Sequence, residues 1–566
     1  MAGEKDKGLE KGLTSYGDRG FSLFLRKAFI KGAGYSDDAL SRPVVGIVNT
    51  ASAFNPCHGN APQLVEAVKR GVMLSGGLPI DFPTISIHES FAHPTSMYLR
   101  NLMSIDTEEM IRAQPMDAVV LIGGCDKTVP AQLMGAASAD VPAVQLLAGP
   151  MMPMAYRGER LGACTDCRRF WAKYRAGGVS ADEIERIEEN LATTAGTCAV
   201  MGTASTMASI AEALGMALPG TAAIPAVHAD RLRAAEASGQ QAVALASTRL
   251  RPSQIITERS VENALRVLLA IGGSTNAIIH LTAVAGRVGV DVSLRRLNAL
   301  SDETPVLVDL KPTGQHYMSD LNAAGGLGAV LRELAPMLHL DCLTVTGQTL
   351  GQRLAAEDTW VDRDVVRPLA DPYQKVGGLV ALFGSLAPGG AILKRSAADP
   401  SLFEREGRAV VFASLDDLAA RIDSPTLDVR ADDFLVLQNA GPKSGYAMPE
   451  AGYLPIPSKL ARAGVKDMVR ISDARMSGTA YGTIVLHVSP ESAVGGPLAL
   501  VKNGDRIRLS VNDRRLDLAA DDAELARRRT ALPRPATPPA RGYAKLYMDH
   551  VLQAEHGCDF DFLRKA

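Results

Sequence analysis

Seven cysteines are spread thinly along the 566 residues, and three of them stand in turn-forming sequences. Cys57 lies in Asn55-Pro-Cys-His-Gly59, Cys125 in Gly123-Gly-Cys-Asp-Lys-Thr128 and Cys198 in Gly196-Thr-Cys-Ala-Val-Met201. A thiol in such a turn can be reached by a metal or an oxidant, which makes these three residues candidates for thiol chemistry. A free cysteine is also commonly a small buried apolar residue, and for each cysteine taken singly this is the commoner case.

The close pair Cys164-Thr-Asp-Cys167 offers a second arrangement of thiols. Its spacing alone is typical of a metal or redox motif. No second pair with this spacing accompanies it, and no βαβ pattern places it as in a thioredoxin. Spacing therefore leaves open which of the cysteines bind a metal. Cys342, in an apolar run, and Cys558, near the end of the chain, are expected to be structural.

Acidic residues accompany two of the cysteine-bearing turns. Glu89 lies in Ser86-Ile-His-Glu-Ser90, at the end of a predicted strand, and Asp126 and Lys127 follow Cys125 directly. A pair of carboxylates at one sheet edge can bind a hard cation such as Mg²⁺ through oxygen ligands. The alternative is a pair of ordinary solvated acids on loops, with Lys127 present only to balance their charge.

A serine and a glycine-rich turn complete the candidates. Ser477 lies in Ile471-Ser-Asp-Ala-Arg-Met-Ser-Gly-Thr479, and no histidine stands nearby in sequence to activate it. Ser-Gly-Thr also suits the N-cap of a helix, so a structural role stays open. Gly272-Gly-Ser-Thr-Asn276 is predicted to begin a helix whose backbone N–H groups could meet an anion, which is a weak signal on its own.

The first ~370 residues alternate short apolar runs with helical patterns, which is typical of a parallel α/β sheet. Because ligands bind outside the carboxyl ends of parallel strands, Cys57, Cys125 and Glu89 are expected on one rim of this sheet. The predicted strands are Pro43–Val48, Thr84–His88, Asp117–Ile122 and Val141–Leu147.

After Pro368 the apolar runs become short and alternate with polar residues, which predicts a β-rich second domain from about residue 375. Asn503-Gly504 between such runs is a hairpin signal. Pro533–Pro539 predicts a stiff connector, and Tyr543–Glu555 predicts a helix that packs back on the body. The predicted strands are Ala409–Phe412, Phe434–Leu437, Met468–Ile471, Thr483–His487, Arg506–Val511 and Arg515–Leu518.

Composition and charge exclude several classes of protein. Hydrophobic residues make up 46% and charged residues 22%, which are ordinary values for a soluble globular chain. The 60 Lys and Arg against 62 Asp and Glu give a net charge of −2, so no global field favours nucleic acid or an anionic membrane. Met1–Gly8 lacks the apolar segment of a signal peptide, and no apolar run reaches the ~20 residues of a membrane span. These features and the sparse cysteines predict a cytoplasmic, reducing location.

The motifs taken together resemble one family. Cys125-Asp-Lys-Thr-Val-Pro-Ala-Gln-Leu-Met-Gly135 resembles the first signature of the dihydroxy-acid dehydratase / phosphogluconate dehydratase family, and Ser472–Thr479 resembles the second. Further motifs fall in the family's order, so the likeness spans nearly the whole chain: Gly272–Asn276, Ala324–Gly326, Leu386–Pro388 and Met448–Glu450. Three segments are similar to the sugar-acid (aldonate) dehydratase branch: His88–Ser90, Thr165–Trp171 and Gly557–Phe562.

The resemblance implies two metal centres and a base. A [2Fe-2S] cluster would be held by three of the cysteines and not by the Cys164/Cys167 pair, and its open iron would act as a Lewis acid. A Mg²⁺ ion would hold the substrate, and a serine alkoxide would remove the C2 proton. The residues that match these roles are Cys57, Cys125 and Cys198 for the cluster, Glu89, Asp126, Glu450 and a carbamylated Lys127 for Mg²⁺, and Ser477 for the base.

The resemblance also implies the reaction, the fold and the assembly. A pentonate or hexonate would lose water to give a 2-keto-3-deoxy acid. The implied fold is an N-terminal parallel-sheet α/β domain, residues 1–372, and a C-terminal β-barrel-like swivelling domain, residues 373–566, in a homodimer or homotetramer. The alternatives are a branched-chain dihydroxy-acid dehydratase, a catalytically impaired cluster-binding homologue and a structural zinc protein.

The sequence departs from the family pattern at three places. Ser444-Gly-Tyr-Ala447 replaces the usual glycine-rich lead into Met-Pro-Glu, which adds side chains beside a proposed Mg²⁺ ligand. Ser385 stands where Asn is frequent, and Ser472 stands where Thr is usual.

Overall fold

The computed structural model describes residues 7–13, 15–533 and 538–565, so residues 534–537 of the predicted connector lie outside the described residues. The N-terminal strands are β1 (Val44–Asn49), β2 (Leu78–Pro83), β3 (Ala118–Gly123), β4 (Ala143–Leu147), β5 (Met154–Tyr156) and β6 (Glu159–Leu161). The N-terminal helices are α1 (Arg19–Gly32), α2 (Asp37–Leu40), α3 (Ala61–Leu74), α4 (Ser96–Ala113), α5 (Thr128–Ala139), α6 (Cys164–Arg175), α7 (Ala181–Glu188), α8 (Thr203–Ala213), α9 (Ala229–Thr248), α10 (Pro252–Ile255), α11 (Glu258–Ala270), α12 (Asn276–Arg287), α13 (Leu294–Glu303), α14 (Met318–Ala323), α15 (Gly326–Leu334) and α16 (Leu350–Ala356).

The first sheet has four strands, is entirely parallel and has the order β2-β1-β3-β4. β3 and β4 are buried along their whole length, which is why they are apolar runs without alternation. Helices α3 and α9 pack against each other and on the strands, and α5 packs on β3 and β4. The predicted parallel α/β domain is confirmed.

One predicted strand is wrong. Thr84–His88 has the alternating pattern of a strand, but the second strand is β2, Leu78–Pro83. β2 pairs with β1 from Val44 opposite Leu78 to Asn49 opposite Pro83. Residues 84–88 therefore run beyond the last residue of β1 with which they could pair. They still lead to Glu89 at the same edge of the sheet.

The strand order creates a switch point between β1 and β3. The chain moves outward from β1 to β2 and returns to the other side of β1 with β3. The connections after β1 and β3 therefore diverge and leave a crevice at the carboxyl ends of the strands, where α/β proteins bind ligands. Cys57 lies in the connection after β1, and Cys125 lies in the turn after β3.

The second sheet has eight strands in the order β14-β13-β9-β10-β11-β12-β8-β7. Phe383, directly after β7, pairs with Arg515 of β14, so this bridge joins the two ends of the order. The mixed sheet is therefore nearly closed, and the predicted barrel-like second domain is confirmed. Its strands are β7 (Val380–Leu382), β8 (Gly390–Leu393), β9 (Glu404–Phe412), β10 (Phe434–Leu437), β11 (Arg470–Ser472), β12 (Ile484–Ser489), β13 (Arg506–Ser510) and β14 (Arg515–Ala519), and its helices are α17 (Leu415–Arg421), α18 (Ser458–Arg462), α19 (Asp522–Thr530) and α20 (Gly542–His550).

The hairpin of this domain joins β13 and β14 through residues 511–514. Asn503-Gly504 lies before β13 and is held against β9 instead. The Asn503 Oδ1 accepts a hydrogen bond from the Val411 N–H (2.7 Å), and the Gly504 N–H donates to the Ala409 carbonyl (2.9 Å). The Asn-Gly turn therefore returns the chain onto β9 and does not form a two-residue hairpin.

The C-terminal tail packs back on the N-terminal domain, as predicted. The buried Arg100 of α4 donates to the carbonyls of Gly557 (2.8 Å) and Cys558 (2.9 Å). Arg287, the last residue of α12, forms an ion pair of two hydrogen bonds with Asp559 (2.7 and 2.9 Å). The tail therefore fixes α4, which begins shortly after Glu89, to α12.

Among the helices of the described residues, none combines the length and the apolar character needed to cross a membrane.

Candidate active site

Two of the predicted thiols meet at the switch point. Cys57 lies in a short 3-10 helix, Pro56–His58, and both Cys57 and Cys125 are buried. Their two sulfurs and a ring nitrogen of His88 lie within 4.8 Å of one another. Two thiols and an imidazole at this separation can bind one metal centre. The structure thus brings Cys57 and Cys125 together and adds His88, which directly precedes Glu89.

His58 fixes the turn that carries Cys125. Its Nε2 accepts hydrogen bonds from the N–H groups of Gly124 (2.9 Å) and Cys125 (3.0 Å). Its Nδ1 lies 3.1 Å from the Thr50 carbonyl, so a neutral ring with the proton on Nδ1 satisfies both sides. Burial lowers the pKa of His58 to about 4, which keeps the ring neutral at physiological pH.

The small residues after Cys198 predict a helix that begins at this cysteine, and this prediction is wrong. The nearest helix, α8, starts at Thr203, so Cys198 lies in the loop before it and gains no helix dipole. The thiol of Cys198 donates to the sulfur of Cys164 at 3.4 Å. A hydrogen bond to Cys125 and burial raise the pKa of Cys57, and the charge of Cys198 adds to the rise. Cys198 is therefore within electrostatic reach of Cys57, another of the predicted ligands.

The Cys164/Cys167 pair belongs to the same site. Both residues lie in the first turn of α6. Thr165, which stands between them, donates from Oγ1 to the Thr479 carbonyl (3.0 Å) and so joins α6 to the loop that carries Ser477. The pair therefore does not form a second, separate site.

Arg475 joins two of the predicted Mg²⁺ ligands. Its side chain is buried, and its guanidinium donates to Glu89 Oε1 (2.7 Å) and to Glu450 Oε1 (2.5 Å). Asn276 Nδ2, from the predicted glycine-rich turn, also lies 3.4 Å from Glu450 Oε1. Carboxylates from the N-terminal and the C-terminal domain therefore meet at the buried guanidinium of Arg475.

The two carboxylates differ in proton affinity. Burial alone would raise the pKa of Glu89, but the charges of Arg475 and Lys127 outweigh it and lower the pKa to about 2. Burial raises the pKa of Glu450 to about 7 against the charge of Arg475, and the charges of Glu89 and Asp126 add to the rise. Glu450 therefore has a much higher affinity for a proton than Glu89 has.

Lys127 is a buried lysine whose Nζ has no hydrogen-bond partner among the described residues. The carboxylate of Asp126 lies 3.8 Å from it, beyond hydrogen-bond distance. Burying an ammonium group without a hydrogen bond costs free energy. A carbamate on Nζ would replace this cation with an anionic oxygen donor, so the orphaned Nζ fits the modified lysine that the resemblance implies.

Ser477 lies in the loop between β11 and β12 and is not a helix N-cap, because no helix follows it before β12 begins at Ile484. Its Oγ lies 2.8 Å from the Oγ1 of Thr479. The Gly478 N–H donates to Thr203 Oγ1 (3.3 Å), which also accepts from Asn276 Nδ2 (3.3 Å). The serine loop is thereby connected both to the α6 thiols and to the carboxylates.

A second buried lysine supports the serine loop. Lys394 follows β8, and its Nζ donates to the carbonyl of Gly478 (3.3 Å). Burial lowers the pKa of Lys394 to about 7. The loop that carries Ser477 therefore rests on an amine that gains or loses a proton near neutral pH.

The departure from the family pattern before Glu450 produces a strained turn. Ala447 (φ 49°) and Met448 (φ 58°) both adopt the left-handed conformation that favours glycine. Both side chains are buried, and Met448 packs against Cys558 of the tail. The Met448 carbonyl accepts from Arg475 Nε (2.8 Å). The turn therefore ties Arg475 to the tail.

The other two departures have local roles. Ser385 Oγ accepts from the Leu518 N–H (2.9 Å) and so helps to join the ends of the barrel. Ser472 Oγ accepts from the Ala474 N–H (3.0 Å) at the start of the serine loop.

Sequence reasoning missed the roles of five residues in this site. His58 follows Cys57, His88 precedes Glu89, and Arg475 and Thr479 stand in the motif around Ser477, so adjacency to a predicted residue was the available signal. Lys394 lies in an apolar run far from any predicted site residue, and no sequence signal marks it.

Comparison with known proteins gives a consistent result along the chain. The family model described as Dihydroxy-acid/6-phosphogluconate dehydratase N-terminal matches residues 42–353, and the corresponding C-terminal model matches residues 364–558. L-arabinonate dehydratase from Rhizobium leguminosarum bv. trifolii (strain WSM2304) is 47% identical over 97% of this chain and 95% of its own. 6-Deoxy-6-sulfo-D-gluconate dehydratase from Pseudomonas putida is 46% identical over 93% and 92%. Dihydroxy-acid dehydratase from Syntrophobacter fumaroxidans (strain DSM 10017 / MPOB) is 38% identical over 94% and 96%.

Proposed function

The chain belongs to the dihydroxy-acid/6-phosphogluconate dehydratase family and is a hydro-lyase, and we propose that its substrate is a sugar acid. A pentonate or hexonate would lose its C2 proton and C3 hydroxyl as water, and the resulting enol would tautomerise to a 2-keto-3-deoxy acid. Two relatives named for sugar acids are 46% and 47% identical to this chain, against 38% for a dihydroxy-acid dehydratase. This difference supports an aldonate over a branched-chain substrate.

The observation that carries the proposal is the meeting of two chemically different donor sets at one crevice. Thiols cluster at the switch point, carboxylates cluster around Arg475, and the Ser477 loop contacts the neighbours of both. Soft sulfur donors suit iron, and hard oxygen donors suit magnesium. A dehydration removes a proton and a hydroxide from adjacent carbons, and such a pair of centres around one base can stabilise the charge that develops at both.

We infer that Cys57, Cys125 and Cys198 hold a [2Fe-2S] cluster. When bound, a cluster with three protein ligands supplies a Lewis acid for the leaving C3 hydroxyl. The chain's own contribution is to hold the thiols. His58 fixes the turn of Cys125 through two N–H groups, and burial keeps Cys57 and Cys125 from bulk water.

We infer that Mg²⁺ binds to Glu89, Asp126, Glu450 and a carbamylated Lys127. When bound, the ion orients the substrate carboxylate and C2 hydroxyl and makes the C2 proton more acidic. Arg475 holds Glu89 and Glu450 in place by hydrogen bonds to both. A bound divalent cation would lower the raised pKa of Glu450. A carbamate on Lys127 would replace the ammonium that has no hydrogen-bond partner among the described residues.

Ser477 is proposed to remove the C2 proton at its Oγ. Serine becomes a base only as an alkoxide, so the charge on Oγ must be stabilised. The Thr479 hydroxyl lies 2.8 Å away and the Thr479 N–H lies 3.4 Å away, and both can donate to this oxygen. Hydrogen bonds to the charged form favour it. Ser477 is also only 6% exposed, which limits competition from water.

The assignment of the base is tested with Ser477→Ala, and the exposed Ser75→Ala serves as the control. We expect Ser477→Ala to lower kcat by about 10²-fold or more, since a positioned base contributes about 10²–10⁴-fold. Iron content and unfolding temperature should match the wild type in both variants. Near-normal kcat in Ser477→Ala would remove this residue from the mechanism.

Metal analysis of anaerobically purified protein separates the alternatives. The proposal expects iron and acid-labile sulfide, whereas a structural zinc protein would contain zinc and neither of these. A cluster-loaded protein that dehydrates no compound in an aldonate panel would indicate a catalytically impaired homologue.

A further inference from the structure

A fourth thiol lies against one of the proposed cluster ligands. Cys164 begins α6, and its sulfur lies 3.4 Å from the sulfur of Cys198. Both residues are partly exposed, whereas Cys57 and Cys125 are buried. In the cluster-free protein a small oxidant therefore reaches the Cys164–Cys198 pair more readily than Cys57 or Cys125, and Cys167 is partly exposed as well.

Hydrogen bonds of the neighbouring residues hold the segments that carry the two thiols. Thr197, next to Cys198, is bonded on both sides: its N–H donates to the Gly149 carbonyl (3.0 Å), and its carbonyl accepts from the Met151 N–H (2.8 Å). Thr165, next to Cys164, is bonded to Thr479. A disulfide requires the sulfurs to close from 3.4 Å to about 2.05 Å, and with these neighbours held in place the closure is left to side-chain rotation.

We propose that Cys164 is a resolving thiol that forms a reversible disulfide with Cys198 whenever no cluster is bound. The disulfide needs the two thiols and a peroxide as oxidant, and it does not need the cluster. Its purpose, to keep a ligand available for cluster loading, rests on the proposed function. Without a neighbour, an oxidised Cys198 would pass to the sulfinic acid, which thiols do not reduce.

The chemistry is balanced with a peroxide as the oxidant. The thiol proton of Cys198 passes along its hydrogen bond to Cys164, the Cys198 sulfur attacks one peroxide oxygen, the O–O bond breaks, and a sulfenic acid and hydroxide form. The hydroxide takes the proton from Cys164 to give water. The Cys164 thiolate then attacks the sulfenic sulfur, the S–S bond forms, and a second hydroxide leaves and becomes water. Two thiols are oxidised and one peroxide is reduced to two waters. A dithiol reductant reverses the pairing by exchange.

The test uses the full chain, prepared anaerobically without cluster, reduced, and then treated with hydrogen peroxide. Remaining thiols are alkylated, and disulfides are mapped by mass spectrometry of a non-reduced digest. We expect the free thiols to fall from seven to five and a linked peptide to join Cys164 to Cys198. A disulfide that joins another pair, such as Cys164 with Cys167, or no disulfide at all, would overturn the proposal.

Two variants separate the resolving role from general reactivity. Cys164→Ser should abolish the linked peptide and increase the sulfinic acid at Cys198. Cys167→Ser, a matched change one helical turn away, should leave the Cys164–Cys198 disulfide intact. Equal amounts of sulfinic acid at Cys198 in Cys164→Ser and the wild type would contradict a resolving role.

Cluster loading gives an independent readout. After peroxide and then a dithiol, anaerobic reconstitution with iron and sulfide should restore the visible absorption of the wild type but not that of Cys164→Ser. Equal recovery by the two proteins would overturn the protective role. If wild type that was never oxidised takes up no cluster, the proposed function fails, while the disulfide map still tests the thiol pair.

Discussion

Lys127 is the residue on which the proposed magnesium centre depends. Its Nζ is buried beside Asp126 and lacks a hydrogen-bond partner, so the unmodified lysine is poorly accommodated. We expect Lys127→Met to retain the visible absorption of the cluster but to lose Mg²⁺-dependent turnover, by about 10²-fold or more, as when one preorganised electrostatic group is removed. Steady-state kinetics across a Mg²⁺ titration measures this loss.

The control for this change is the exposed Lys502→Met, which should match the wild type. Turnover of Lys127→Met within a few-fold of the wild type would show that Lys127 is not a ligand. Loss of the cluster absorption in this variant would show that the two centres are not separate.

Lys394 is expected to affect both the stability of the protein and its activity. Its pKa near 7 in the folded protein lies below the ordinary value of about 10.4. Between these pH values the unfolded chain binds more protons than the folded one, so the contribution of this group to stability rises with pH and is least favourable near and below pH 7. Lys394→Met removes the penalty, and we expect its gain in unfolding midpoint to be largest near pH 7 and to shrink at higher pH.

The same variant should be less active, because it loses the hydrogen bond to the Gly478 carbonyl beside Ser477. Denaturant midpoints at several pH values, together with kcat, measure both effects. The exposed Lys502→Met should show no pH-dependent difference from the wild type. A difference for Lys394→Met that does not change with pH would contradict the altered titration of this lysine.

At the residue scale, sequence identifies groups that stand next to the ends of predicted strands. Cys57 and Cys125 could be expected to meet because both follow parallel strands. Arg475 could not be identified in this way, since its role lies in contacts to Glu89 and Glu450, one of them 386 positions away. Such partners become visible only when the two domains are packed together.

At the element scale, the C-terminal tail holds together the helices that adjoin the carboxylates. It is anchored on α4 by Arg100 and on α12 by the buried Arg287–Asp559 ion pair. Both partners of that ion pair are inaccessible to solvent. Because α4 follows Glu89 and α12 begins at Asn276, the tail fixes elements that carry the site.

We expect Asp559→Ala to destabilise the protein by about 3 kcal/mol or more, because it removes the two charged hydrogen bonds of the buried Arg287 and leaves it only Glu108, at 3.7 Å, as a charged partner. The control is Asp291→Ala, which removes an exposed ion pair with Arg564 and should cost no more than about 1 kcal/mol. Denaturant unfolding of both variants tests the expectation. Equal small losses for the two would show that the tail is not an anchored part of the fold.

Elements were predictable where one local pattern decides the outcome. The apolar runs of β3 and β4 predict strands directly, because parallel strands covered on both faces are apolar throughout. Thr84–His88 has an equally good strand pattern, but it lies beyond the end of β1. Whether this segment is a strand depends on hydrogen-bond pairing with β1, and that pairing is set by residues elsewhere in the chain.

At the scale of the whole molecule, the site exists only where the two domains meet. The N-terminal domain supplies the thiols and Glu89, and the C-terminal domain supplies Glu450, Arg475 and Ser477. The bridge of Phe383 to Arg515 closes the barrel on which the second group is mounted. Sequence patterns indicate the two fold classes, but closure and domain packing follow from contacts between distant segments.

Three expectations for the whole molecule stay predictions: the boundary at residues 372 and 373, the swivelling of the second domain, and the homodimer or homotetramer. The predicted boundary falls in the segment between α16 and β7.

The most direct measurement of the central claim is 2-keto acid formation by the anaerobically purified, Mg²⁺-supplied enzyme. Pentonates and hexonates of differing stereochemistry are compared with 2,3-dihydroxy-isovalerate under the same conditions. We predict that at least one aldonate is dehydrated with a higher kcat/KM than 2,3-dihydroxy-isovalerate. Preferential turnover of 2,3-dihydroxy-isovalerate, with no aldonate dehydrated, would contradict the proposed substrate class.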